Sequence, residues 1–225
     1  MRARRPWGPV RTAALLAAMC LAAMFPTASA GAAELTRAQA LAALLHPVAQ
    51  QRLAGVHRLA GIGRGADAER LLNALRDTEP ALREAAAGAL WQIWSRSGDA
   101  AIDQLYARGI EQMQARDYPE AVATFSDIVR RKPDFAEGWN KRATLYFLLG
   151  DNEKSLLDCD QVLKRNRLHF GALSGAGQIH LQLGNAREAL DFFRRAVDVN
   201  PALEGPARMI PLLEQLLRDK GQKST

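Results

Sequence analysis

The sequence reads as an all-α chain in which antiparallel helical hairpins stack side by side. Three observations carry that reading. Residue types recur every 34 positions through the C-terminal half, a period that marks a repeat array. Within each unit the large apolar residues fall at helical spacing, as a buried seam requires. Glycine and proline sit where such helices must end and begin.

The period is specific. Leu105, Trp139 and Leu173 align, as do the small residues Gly109, Ala143 and Gly177. Gln112, Tyr146 and His180 follow, then Ala121, Ser155 and Ala189. Phe125, Cys159 and Phe193 align, then Ile128, Val162 and Ala196, and Pro133, Arg167 and Pro201 close the units. A small residue on each first helix lets the second helix approach closely. Gly150 and Gly184 end first helices, where a left-handed residue costs glycine little. Pro119 falls in the first turn of a second helix, where a missing N–H donor is not missed. The apolar positions Met209, Leu212, Leu213, Leu216 and Leu217 predict a terminal helix that caps the last seam.

With these registers in place, residues 102–203 resemble three tetratricopeptide (TPR) repeats, spanning 102–135, 136–169 and 170–203, with a cap and tail over 204–225. The resemblance implies a right-handed α-solenoid whose first helices line a concave groove that receives a peptide. Carried over by register, that groove comprises Tyr106, Ile110 and Met113 from the first unit and Asn140, Thr144 and Phe147 from the second. The third supplies Gly171, Ser174, Gln178 and Gln182. Some TPR proteins grip a peptide's C-terminal carboxylate with a basic clamp. Its registers here hold Tyr106, Ile110, Lys141, Gly171 and Gly175, so that specificity does not transfer. Glycine inside a helix costs about 1 kcal/mol relative to alanine, so Gly171 and Gly175 are expected to open the groove floor to a partner's backbone.

Residues 31–99 repeat less cleanly. An offset of 31 pairs Leu41 with Leu72, Leu44 with Leu75, Arg52 with Arg83, Leu59 with Leu90 and Ile62 with Ile93. Two further hairpins follow, 36–46 with 48–60 and 66–76 with 80–95. The stretch ADAERLLNALRDTEPALREAAAGAL resembles a HEAT repeat, with Asp77, Pro80 and Arg83 around its turn. Trp94 is expected in the core and Trp91 at the seal with the first TPR-like unit.

The first thirty residues read as an address. Arg2, Arg4, Arg5 and Arg11 precede an apolar run, Ala13–Phe25, and small residues at Ala28 and Ala30. These are the parts of a secretory signal peptide, with the cut placed after Ala30. Thirteen apolar residues fall short of the roughly 20 that span a bilayer, although an uncleaved anchor is the alternative. Removing residues 1–30 takes four arginines and no acid, which brings the formal charge from +6 to +2. That balance gives no footprint for nucleic acid. Arginine outnumbers lysine 24 to 6, and alanine is abundant, as in a GC-rich bacterial genome. The expected destination is therefore the periplasm or the exterior, with membrane contact only if the segment is retained.

Motifs for chemistry are lacking. The four histidines show no paired metal-ligand spacing, and no nucleophile elbow is present. Gly61, Gly63 and Gly65 have neither the preceding strand nor the Lys-Ser/Thr of a phosphate loop. Cys159 stands where flanking repeats hold phenylalanine and reads as a small buried hydrophobe. The basic clusters at 130–132 and 164–167 read as a solvated rim that complements helix dipoles. The expectation is a protein- or peptide-binding scaffold without cofactor or metal, in preference to an enzyme built on the concave face.

Overall fold

The computed structural model describes residues 34–222. The basic head, the apolar run, Cys20 and the cut after Ala30 lie outside them. Among the described residues the chain forms eleven α-helices, and none is long and apolar enough to cross a membrane.

The first four helices are α1 (Arg37–Ala43), α2 (Ala49–Ile62), α3 (Ala68–Ala74) and α4 (Pro80–Trp94). A capping box starts α1: the Thr36 hydroxyl accepts from the Gln39 N–H, and Gln39 Oε1 accepts from the Thr36 N–H. Pro80 opens α4 in its first turn, where it forfeits no helical bond. The 31-residue offset acquires a physical meaning in the turns. Arg52 donates to the His46 and Pro47 carbonyls of its own hairpin, and Arg83 to the Asp77 and Thr78 carbonyls of the next. Arg52 also grips the Asp77 carboxylate at 2.7 and 2.8 Å, so one arginine ties both hairpins. Arg37 and Asp67 form a second ion pair between them.

The 34-residue period becomes three pairs: α5 (Ala100–Gln114) with α6 (Tyr118–Arg131), α7 (Ala136–Leu148) with α8 (Asn152–Arg165), and α9 (Phe170–Gln182) with α10 (Ala186–Val199). The final helix, α11 (Glu204–Gln222), lays Met209, Ile210, Leu213 and Leu217 against α10, while Leu212 and Leu216 remain exposed. Gly150 and Gly184 end first helices at φ +80° and +78°. The same turn in the first pair uses Arg116 at φ +61°, a conformation that a β-carbon disfavours.

Small and large residues match across each hairpin. A β-carbon on Gly109 would stand 2.7 Å from the Phe125 ring, and one on Gly177 would stand 2.6 Å from Phe193. The middle pair has Ala143 facing the smaller Cys159, and the two share a core with Ala176 and Ile179. Ser155, which replaces alanine in this register, is buried and donates to the Ala143 carbonyl at 2.7 Å. The middle unit thus keeps its closeness with smaller side chains and a satisfied hydroxyl.

The junction departs from expectation. Trp91 reaches past the first TPR-like unit: its indole lies on Gly171, Phe170 and His169, with the Lys141 ammonium 5.4 Å above its ring. Phe170 belongs to the core of α1–α4, and Val199 and Leu203 pack there too. The cause is size: Gly171 presents bare backbone that an indole can cover, and Phe170 beside it supplies apolar area.

Candidate functional site: a cleft between α7 and α9

Beneath this junction lies a buried polar hub. Glu137, in the first turn of α7, is fully enclosed. Its carboxylate meets His169 Nε2 at 2.9 Å, Lys141 Nζ at 3.0 Å and the Asn140 amide at 3.2 Å. His169 caps α9, with its Nδ1 accepting from the Ala172 N–H. That acceptor role leaves the proton on Nε2, which donates to Glu137. Burial pushes the Glu137 carboxyl up, but His169 and Lys141 outweigh it and hold it below the usual range. Tyr106 joins at 3.4 Å, and both burial and Glu137 raise its phenol far above an ordinary tyrosine. Trp94 stacks on the His169 ring at 4.4 Å. One carboxylate thus fastens α7 to α9, with α5 at its edge and α4 on top.

Above the hub opens a cleft of about 360 Å³. Trp91 walls one end, Asn140, Thr144 and Phe147 form the α7 side, and Gly171, Ser174, Gly175 and Gln178 form the α9 side. A β-carbon on Gly175 would meet nothing within 4 Å. Six predicted groove residues therefore converge: Asn140, Thr144, Phe147, Gly171, Ser174 and Gln178. Tyr106, Ile110 and Met113 pack on the core that the first unit shares with Leu145 of α7, and they do not line the cleft. Gln182 is exposed near the end of α9. Of the two glycines expected to open the floor, Gly175 is bare, whereas Gly171 is covered by the protein's own indole.

Ser174 and Gln178 also line a second cleft of about 460 Å³ across α9, bounded by Leu181, Met209 and Leu212. Beneath the first cleft Cys159 is buried, and that burial, with Asp158 and Asp160 nearby, lifts its thiol to about 12. Asp158 is bound by Arg142 at 2.7 and 2.8 Å. Among the described residues no cluster of three or more His, Cys, Asp or Glu gathers as metal ligands would. In the basic rim, Arg130 and Arg131 pair with Asp127, and Arg165 lies over Trp139.

Sequence reasoning missed the wall and the hub. Trp91, Phe170, Leu203, Glu137 and His169 carry no register signal that would place them together. The one visible hint was a pair of tryptophans, Trp91 and Trp94, on a single helix.

Residues 106–161 and 149–203 match the tetratricopeptide repeat family model. A TPR repeat-containing protein of Rhizobium etli is 32% identical over 142 residues, 63% of this chain and 70% of that protein. The chain belongs to the tetratricopeptide repeat proteins. Among solved structures, the first TPR domain of Spaghetti (RPAP3), bound to the HSP90 peptide SRMEEVD, superposes with a TM-score of 0.50. It is 21% identical, and the match covers 52% of this chain and 93% of that one. The Sgt2 TPR domain of Aspergillus fumigatus gives a TM-score of 0.51 at 15% identity, over 56% of this chain and 85% of that one. At these identities the likeness is one of fold.

Proposed function

We propose that this protein is a non-catalytic adaptor that holds a peptide segment of a partner protein in the α7–α9 cleft. TPR proteins typically bind proteins or peptides. The observation that carries the reading is the cleft itself: six residues predicted from repeat register line one cavity, in which Asn140, Thr144, Ser174 and Gln178 stand among apolar side chains. Amide and hydroxyl groups of this kind suit a peptide backbone, and the aromatic walls suit a side chain. The N-terminal hairpins, which we read as HEAT-like, dock on this face. The exported location follows from the signal-like first thirty residues and from the composition, so the natural setting is the bacterial envelope.

Affinity capture from envelope extract tests the reading, with wild type beside Gly175→Leu. The added side chain enters open space, so the variant should melt at the same temperature or higher while losing its captured partner. Identical captured sets from both baits would remove the cleft assignment. Sequencing the exported protein's N-terminus separates a start at Gly31 from an intact Met1, the mark of a retained anchor.

A further inference from the structure

The α1–α4 module places one large aromatic side chain on the face that the proposed partner uses. The nearest atoms to a β-carbon built on Gly171 are Trp91 carbons at 2.3 and 2.9 Å, so the indole rests directly on α9 backbone. It is held from three sides, by Phe170 and His169 at 5.3 Å and Trp94 at 5.7 Å between ring centroids. Lys141, the cation nearest this end of the trough, is already engaged: its ammonium sits 3.0 Å from Glu137 and over the Trp91 ring. The cleft that remains is lined by uncharged side chains, with Trp91, Phe147 and Phe170 supplying aromatic surface. Its volume lies near the low end of the roughly 300–1,000 Å³ found for ligand sites.

We propose that Trp91 is an intramolecular stop that sets specificity, closing one end of the trough so that it takes a short, uncharged segment inserting a bulky apolar side chain. Charge complementarity argues for that occupant. A carboxylate entering here would lose its hydration and find Lys141 already spent on Glu137. An aliphatic or aromatic side chain would meet Trp91 and Phe147 and displace water. Its flanking peptide groups would reach Ser174 and Gln178, while the Asn140 amide stays on Glu137. The proposal rests on the peptide-binding reading above and adds the chemistry of the ligand and the residue that selects it.

The test uses end-capped heptapeptides of the form Ser-Gly-Ser-X-Ser-Gly-Ser, with X as Leu, Phe, Glu or Lys. They are titrated into the mature-length protein while the amide signals of Thr144, Ser174, Gly175 and Gln178 are followed by NMR. Wild type should bind the Leu and Phe probes about tenfold or more tightly than the Glu and Lys probes, the ratio expected for burying one large apolar side chain. Trp91→Ala removes the stop, and Gly171→Ala dislodges the indole without altering it. Both should reduce the preference to less than about threefold, and the amide spectrum reports whether each variant is folded. Equal affinity for all four probes in wild type, or a preference unchanged in both variants, overturns the role of Trp91 and leaves peptide binding standing. If no probe shifts the α7 and α9 amides, peptide binding in the cleft falls and this inference falls with it.

Discussion

The four N-terminal helices and the array that follows are joined by different chemistry. In α1–α4 the hairpins are tied at their turns by charge, with Arg52 reaching two carbonyls behind it and the Asp77 carboxylate ahead. In α5–α10 the hairpins are closed by volume: glycine faces phenylalanine in the outer two pairs, and alanine faces cysteine in the middle one. The two systems meet at Glu137 and His169, where a buried charge lies beneath stacked tryptophan. Charge ties tolerate imperfect repeat lengths, because a long arginine can adjust. Volume matching demands a fixed period, which is why the 34-residue repeat is so regular.

The largest expected effect comes from breaking the meeting point. Glu137→Ala strands the buried His169 donor and removes the partner of the half-buried Lys141 ammonium. A loss of about 2–3 kcal/mol in denaturant unfolding is expected. A loss below about 1 kcal/mol would mean that the hub is structurally idle.

Next comes the volume rule. Cys159→Phe alone should overpack against Ala143 and cost about 1–3 kcal/mol. Adding Ala143→Gly recreates the pairing of the outer units, and the double variant should recover most of that loss despite the cost of helical glycine. Additive losses would show that the small–large match is coincidental.

The charge rule has a pH signature. Hydrogen bonds from Arg52, chiefly, lower the Asp77 carboxyl from 3.8 to about 2. The folded state therefore binds this proton more weakly than the unfolded chain does. The stabilisation is complete above the unfolded value and is lost as pH falls from about 4 towards 2. Arg52→Ala should flatten this acid limb as well as lower stability near neutrality. An unchanged limb would separate Asp77 from the pairing. The smallest effect is a gain: Arg116→Gly places glycine at the φ +61° turn, as at Gly150 and Gly184. It should raise stability by about 1 kcal/mol, readable as a higher melting temperature.

Much of the array was legible because a recurring residue type reports a recurring contact. Gly109, Ala143 and Gly177 announced close helix approach, and Gly150 and Gly184 announced the turns. Half of the cleft was legible for the same reason, since Asn140, Thr144, Ser174 and Gln178 share registers along neighbouring first helices. The other half was not. Trp91 reaches the cleft from a helix outside the 34-residue period, and His169 and Glu137, 32 residues apart, meet through the stacking of α9 on α7. Such contacts are made once, between unlike elements, so no repeated pattern records them. Gly171 shows the limit well: its lack of a side chain correctly signalled a close approach, but the approaching group belongs to the chain itself.

The most direct test of this account is a nuclear Overhauser measurement between the Trp91 indole and the Gly171 α-protons in solution. Strong cross-peaks, with others to the His169 ring, are predicted. Their absence, with Trp91 instead showing contacts to residues of α5, would place the N-terminal helices at the end of the array and leave the trough open.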